Sequence, residues 1–431
     1  LFLFPLFRQW TGMAPKIHSQ DLAQFACLGY LPISDAGGYV SGAYQLLLRG
    51  TLDDWSERRP INAAFLAARL ALTGKKLPMA TLLQVLFLGA GVFLFSQTIG
   101  IIYGLWSGTS CMAILLAFAQ CFMGTCLSEA LGMTLGAIGL GLILRSFFSG
   151  RLWSLFFGSL GLALALSARA GAFFTLPALL VASCWKIGSF PRKTIFFAVL
   201  LTGFSVGLLL NWVVLYQYGV SRSMLNSNFS YTFCGIAENS SWMQVKQKYW
   251  ESLKQLPNGK AKSAFLYARG WEALQRNPWV IFHYAHRAYS SFRTDFFPTL
   301  KTILLEPGVS YRPAATSLLF LLLALTAIRL CQSLFQPRFP GERRFWLSLW
   351  FGTFLSIPII HLDGGWRVWA ATWPIMGGIF SLGLISPSAG RRLPAQTTVS
   401  DFLPRLLVGG FLTTTIFVPW LGHLIWGIPV Q

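Results

Sequence analysis

Ten stretches of this chain are long and nearly free of charge, at about 79–103, 110–127, 130–148, 152–168, 170–187, 194–216, 314–335, 345–361, 366–386 and 403–426. Each is close to the ~20 residues that a helix needs to cross a bilayer core. Hydrocarbon offers no partner to a peptide N–H or C=O, so runs like these read as membrane helices that satisfy their own backbones. Composition agrees. Only 11% of residues are charged and 54% are hydrophobic, whereas a soluble domain carries about a quarter charged. The opening L-F-L-F-P-L-F is too short to span. It reads as the outer end of a truncated first membrane helix, because no small-residue cleavage site of a signal peptide follows. The expectation is an all-α polytopic membrane protein of about 11 transmembrane helices, forming a single domain over 1–431 with no internal repeat.

The net charge of +20 invites a nucleic-acid partner, but no binding motif accompanies it, and none is expected. The basic residues sit between apolar spans or in one long loop. Anionic lipids, the positive-inside bias and phosphate-bearing substrates account for them better. One set of turns carries Arg145 with Arg151, then Lys186, Arg192 and Lys193, then Arg338, Arg343 and Arg344, then Arg391 and Arg392. These alternate so as to share the cytoplasmic side. The opposite set carries Glu129, Arg169, and Asp363 with Arg367. The first outer loop, 8–78, and the long loop 217–313 therefore face outward. The latter has 12 Lys/Arg against 5 Asp/Glu, but long loops escape the orientation rule. It reads as helical over 242–256, 262–275 and 279–292. Seven cysteines show no C-x-x-C pair and hence no metal or redox signature. Cys27 and Cys234 fall in outer loops and are expected to be unpaired.

Chemistry concentrates in residues 34–60, S-D-A-G-G-Y-V-S-G-A-Y-Q-L-L-L-R-G-T-L-D-D-W-S-E-R-R-P. Asp35 opens an amphipathic helix in which Val40, Tyr44 and Leu47 share a face, and Gly50 closes it. Asp53, Asp54 and Glu57 follow, then Arg58 and Arg59. Pro60 starts a second helix over 60–73, with Ile61, Phe65, Ala68 and Leu72 on one side and Gly74 at its end. Both helices are expected to lie along the membrane surface. Of the 14 acids in the chain, four fall within the 23 positions from 35 to 57.

This loop, with S-E-A-L-G-M-T-L-G from Ser128, N-F-S-Y-T-F-C-G-I-A from Asn228 and D-G-G-W-R-V-W-A-A-T-W-P from Asp363, resembles the GT-C-fold membrane glycosyltransferases. The nearest branch is that of the bacterial phospholipid carrier-dependent glycosyltransferases and protein mannosyltransferases. The E-N-S-S-W at 238–242 departs from the glycine-rich turn of that branch. The resemblance implies a GT-C-type bundle in a bacterial plasma (inner) membrane. It also implies transfer of a sugar from a polyprenyl-phosphate donor to an acceptor glycan, lipid or protein on the extracytoplasmic face. Asp35 would be the catalytic base. Arg58, Arg59 and Arg367 would bind the donor phosphate, with Glu129, Asp53, Asp54 and Asp363 as further site acids and a magnesium or manganese ion as a tolerated phosphate bridge.

Each role has a plainer rival. Asp35 or Ser34 can cap a helix. Arg58 and Arg59 can pair with Asp54 and Glu57 on a solvated loop. Glu129 can be an entrance cap beside Ser128. Asp363 and Arg367 can form an i,i+4 pair, and His283 with His286 lacks a third metal ligand. The rival function is a transporter or flippase of lipid-linked saccharides, which would favour repeats and polar clusters at mid-membrane.

Overall fold

The computed structural model describes residues 34–184, 190–222, 227–304, 342–382 and 398–426, which are almost wholly helical and contain no strand. The expected first span and the one at 314–335 lie outside the described residues. Helix α1 (Ser34–Arg49) stops at Gly50, whose φ of +72° is left-handed. α2 (Pro60–Leu72) begins at proline, which suits a first helical turn. There follow α3 (Leu77–Tyr103), α4 (Leu105–Ala119), α5 (Ser128–Ser149), α6 (Leu152–Ala168), α7 (Thr175–Cys184) and α8 (Phe190–Tyr218). Four shorter elements come next, α9 (Ser227–Ala237), α10 (Trp242–Lys248), α11 (Trp250–Lys254) and α12 (Gly259–Arg276). The chain ends in α13 (Val280–Leu304), α14 (Glu342–Gly364), α15 (Trp373–Ser381) and α16 (Thr398–Trp426).

Among the described residues, five helices are long and apolar enough to cross a membrane: α3, α5, α8, and the segments Arg344–Leu362 and Leu406–Trp426 of α14 and α16. Large apolar side chains such as Phe93, Leu208, Trp212, Phe351 and Leu424 stand exposed on four of them. Water would not tolerate so much exposed hydrocarbon; lipid does. The protein is an all-α, multi-pass membrane protein.

α5 is the axis of the bundle. Every residue from Ser128 to Phe147 is buried, enclosed by α3, α6 and the 3-10 segment Gly365–Thr372. A small residue at 136 is what admits that segment: a Cβ there would stand 1.9 Å from the Ala371 carbonyl oxygen. The expected span at 366–386 is thereby replaced. Its first half is the 3-10 segment, held against α5 and tied by the Ala172 N–H donating to Thr372 Oγ1 at 3.2 Å. Its second half is the short α15, which starts with Pro374 in its first turn.

Two further expectations are corrected. The span at 110–127 begins earlier and ends at Ala119. Residues 121–127 form a buried irregular turn in which Thr125 Oγ1 donates to Phe122 O at 2.7 Å and accepts from Leu127 N at 3.3 Å. Side-chain bonds there replace the helical ladder. The second loop helix does not lie on a surface. α2 is buried from Pro60 through Leu70 and packed by α16, α1, α3 and α8, because its alanine-rich sequence has no polar face to offer. Its one cation, Arg69, donates from Nη1 to the Ala80 carbonyl at 2.8 Å and lies over the Phe65 ring at 4.9 Å.

Helices α9 to α12 surround a small separate core of Cys234, Val245, Leu253 and Leu266. Cys234 is a free thiol. From this group α13 returns to the bundle, where Tyr289 Oη donates to the Phe354 carbonyl at 3.1 Å.

Candidate active site

The amphipathic α1 buries Ala36, Tyr39, Ala43, Leu46 and Leu47, a stripe at spacings of three and four. Its centre is rotated from the expected Val40–Tyr44–Leu47 line, since Val40 and Tyr44 pack only at the margin. The reason lies in the loop that follows. Ser56 sits so close to Gly42 that a Cβ there would be 1.8 Å from its Oγ, and the Trp55 indole covers Gly38 in the same way. Rotated so, the helix leaves Asp35, in its first turn, 34% exposed at the side chain.

The loop is fastened rather than solvated. Asp53 Oδ1 accepts from the Ser56 N–H at 2.8 Å, closing the 3-10 turn Ser56–Arg58. Glu57 is fully buried and accepts from the Ser221 N–H at 2.7 Å and from Ser221 Oγ at 2.5 Å. Leu52 N–H donates to the Tyr218 carbonyl at 2.7 Å. Asp53 and Glu57 therefore hold the loop in place against the end of α8, while Asp54 is exposed. Glu57→Ala removes two charge-assisted bonds from a buried position. It is expected to cost roughly 2–3 kcal/mol, read as a lower Tm and faster tryptic cleavage after Arg58. An unchanged melt and cleavage rate would show that the fastening contributes nothing.

The fastened loop points its arginines at the start of α5. Arg59 Nη1 donates to Ser128 Oγ at 2.6 Å. Ser128 caps nothing here: the residue before α5 is Leu127, with no side-chain cap. Beside it, Glu129 is 1% exposed. Its Oε1 accepts from Arg367 Nε at 2.7 Å and Nη2 at 2.6 Å, and Arg169 Nη2 lies at 3.5 Å. Arg367 Nη2 also stands 3.7 Å from Asp35 Oδ2. One guanidinium thus links two carboxylates that lie on different helices. Arg58 covers the Trp55 ring at 4.5 Å. Burial pushes its pKa below the ordinary arginine value, opposed by Tyr231, Tyr39 and Asp35. Arg58 Nε and Arg169 Nε are buried and have no hydrogen-bond partner among the described residues.

Four guanidiniums (Arg58, Arg59, Arg169, Arg367) thus meet two carboxylates (Asp35, Glu129), leaving two positive charges in excess. Such a cluster stabilises an incoming anion, above all a phosphate, which guanidinium forks match. Among the described residues no group of three His, Cys, Asp or Glu converges to hold a metal ion.

The structure brings together Asp35, Arg58, Arg59, Glu129 and Arg367, and leaves Asp53 and Asp54 out of the ion-pair cluster. The Asp363 side chain lies outside the described residues. Arg169 was not singled out as a site residue from the sequence. Its signal was the turn alternation, which put it on the same side as Glu129 and Arg367. At the other end of α5, 16 residues or ~24 Å along, Arg145 Nε donates to Thr98 Oγ1 at 2.9 Å. No protein-family model matches this chain, and no curated protein matches it either.

Proposed function

We propose that this protein is a GT-C-type glycosyltransferase that moves a sugar from a polyprenyl-phosphate donor to an acceptor on the extracytoplasmic face of a bacterial inner membrane. The observation that carries the reading is a half-exposed carboxylate, Asp35, standing at the rim of a buried, net-positive arginine cluster. The acceptor hydroxyl gives its proton to Asp35 as its oxygen attacks the anomeric carbon. The bond between that carbon and the phosphate oxygen breaks, and polyprenyl phosphate departs with the electron pair. Arg58, Arg59 and Arg367 receive the growing negative charge. Glu129 touches neither partner; it keeps Arg367 and Arg169 aimed.

The test is purified protein given a radiolabelled polyprenyl-phosphate hexose, in detergent for transfer and in liposomes for translocation. Transfer, or slow hydrolysis by water, is expected. Arg59→Lys and Arg367→Lys keep charge but lose the planar fork, so donor KM should rise about tenfold with normal melting. Unchanged donor kinetics in both variants would move the phosphate elsewhere. Translocation without transfer would establish the transporter instead.

A further inference from the structure

On the rim of the cluster a second pattern begins. Tyr231 in α9 lies near enough to Arg58 for the guanidinium to ease ionisation of its phenol, against the larger opposing effect of burial. The Tyr231 ring packs on Trp242 with centroids 5.0 Å apart. Lys246 then stands over both Trp242, at 5.4 Å, and Trp250, at 5.7 Å, and Lys254 covers Trp250 at 5.0 Å. Aromatic and cation alternate every fourth residue from 242 to 254, a run of ~18 Å at helical rise. Val245 of α10 and Leu253 of α11 anchor both helices in the small core. A capping box between Ser241 and Gln244 fixes the start of α10. The surface is therefore held rigid before any ligand arrives.

Nearby carboxylates are already engaged. Glu238 holds Lys248 at 2.9 Å and accepts from Tyr249 Oη at 2.5 Å, and Glu251 holds Lys254 at 3.3 Å. Among the described residues no carboxylate pairs with Lys246. Indole faces suit the C–H faces of pyranose rings, and an ammonium between two indoles suits a carboxylate or phosphate carried by the same chain. Hydrocarbon suits a different part of this module. Around the start of α13, Trp279 is 69% and Phe282 66% exposed, beside Ile281, and among the described residues no cation stands over either ring.

We propose that the Trp242–Lys246–Trp250–Lys254 surface is the acceptor track, binding an anionic glycan so that its end reaches Asp35. The assignment rests on the glycosyltransferase reading for its direction, but the binding itself does not. The probes are a hexagalacturonate and a maltohexaose bearing phosphate esters at O6, with plain maltohexaose as the neutral control and anionic phosphatidylglycerol vesicles as the membrane control. Binding to purified full-length protein is followed by fluorescence titration. At least one anionic probe should bind more tightly than maltohexaose and weaken with salt. Lys246→Gln and Trp250→Ala should each raise its Kd about tenfold, Lys246→Arg should restore it, and all three should melt normally. Equal Kd values for variants and wild type, no preference for an anionic probe, or a defect confined to vesicle binding would each overturn the proposal. Donor binding to wild-type protein, measured in parallel, tests the glycosyltransferase reading separately. A protein that takes the oligosaccharide on this track and ignores the donor would keep the track and lose the enzyme.

Discussion

Asp35→Asn is expected to lower turnover of a polyprenyl-phosphate sugar by roughly 10²- to 10⁴-fold, the usual worth of a positioned acid–base group, while the protein still folds. Asparagine keeps the size of the side chain and a carbonyl oxygen for the first turn of α1, where Asp35 sits, and caps about as well as aspartate. What it lacks is a place for the acceptor proton. It also loses its attraction to Arg367, but that contact is 3.7 Å long and on a partly exposed group, so little stability goes with it. A purely capping Asp35 predicts the reverse, an active Asp35→Asn and an Asp35→Ala destabilised by about 1 kcal/mol. Turnover and thermal melt on the same preparations separate the two. A fully active, normally folded Asp35→Asn would remove this residue from the mechanism.

Glu129→Gln should act the other way, through the fold first. The carboxylate is 1% exposed and accepts from two nitrogens of Arg367, with Arg169 also within 3.5 Å. Neutralising it leaves buried guanidiniums without their counter-charge, and breaking a buried pair from one side costs about 3–5 kcal/mol. The expected readout is a fall in Tm of several degrees, together with lost activity as Arg367 and Arg169 drift from their aim. Because the penalty comes from the orphaned cation, Glu129→Gln combined with Arg367→Gln should cost less than the sum of the two single changes. Additive losses would mean that the pair does not interact energetically. An unchanged melt in Glu129→Gln would mean that water already supports the arginines.

The six-residue cluster was partly legible from the sequence, and unevenly so. The S-D-A and R-R-P stretches drew attention to Asp35, Arg58 and Arg59, and the turn alternation put Glu129, Arg169 and Arg367 on one side. Asp53 read as a further site acid behind Asp35, and Glu57 as a possible ion-pair partner of Arg58 or Arg59, because a list of acids does not say which ones the backbone will consume. Only the approach of Ser221 and Tyr218 to the loop shows that Glu57 is a fastening.

By itself the sequence determined the helical class, the ends of α1, α2, α3, α5 and α6 to within a few residues, and that Glu129, Arg169 and Arg367 lie near one another. These are local matters of apolar run length, glycine and proline placement, and charge in the turns. Tertiary structure decided what each apolar helix faces. Hydropathy is the same whether a side chain meets lipid or protein, so nothing local separates α5, enclosed along nearly its whole length, from α8, which exposes Leu208 and Trp212. Pro374 locally favours a fresh helix start within the apolar run after Gly365, but nothing local says where the 3-10 half before it is seated. That is fixed by a contact 235 residues away in sequence, where Ala371 fits against Gly136 and a side chain would not.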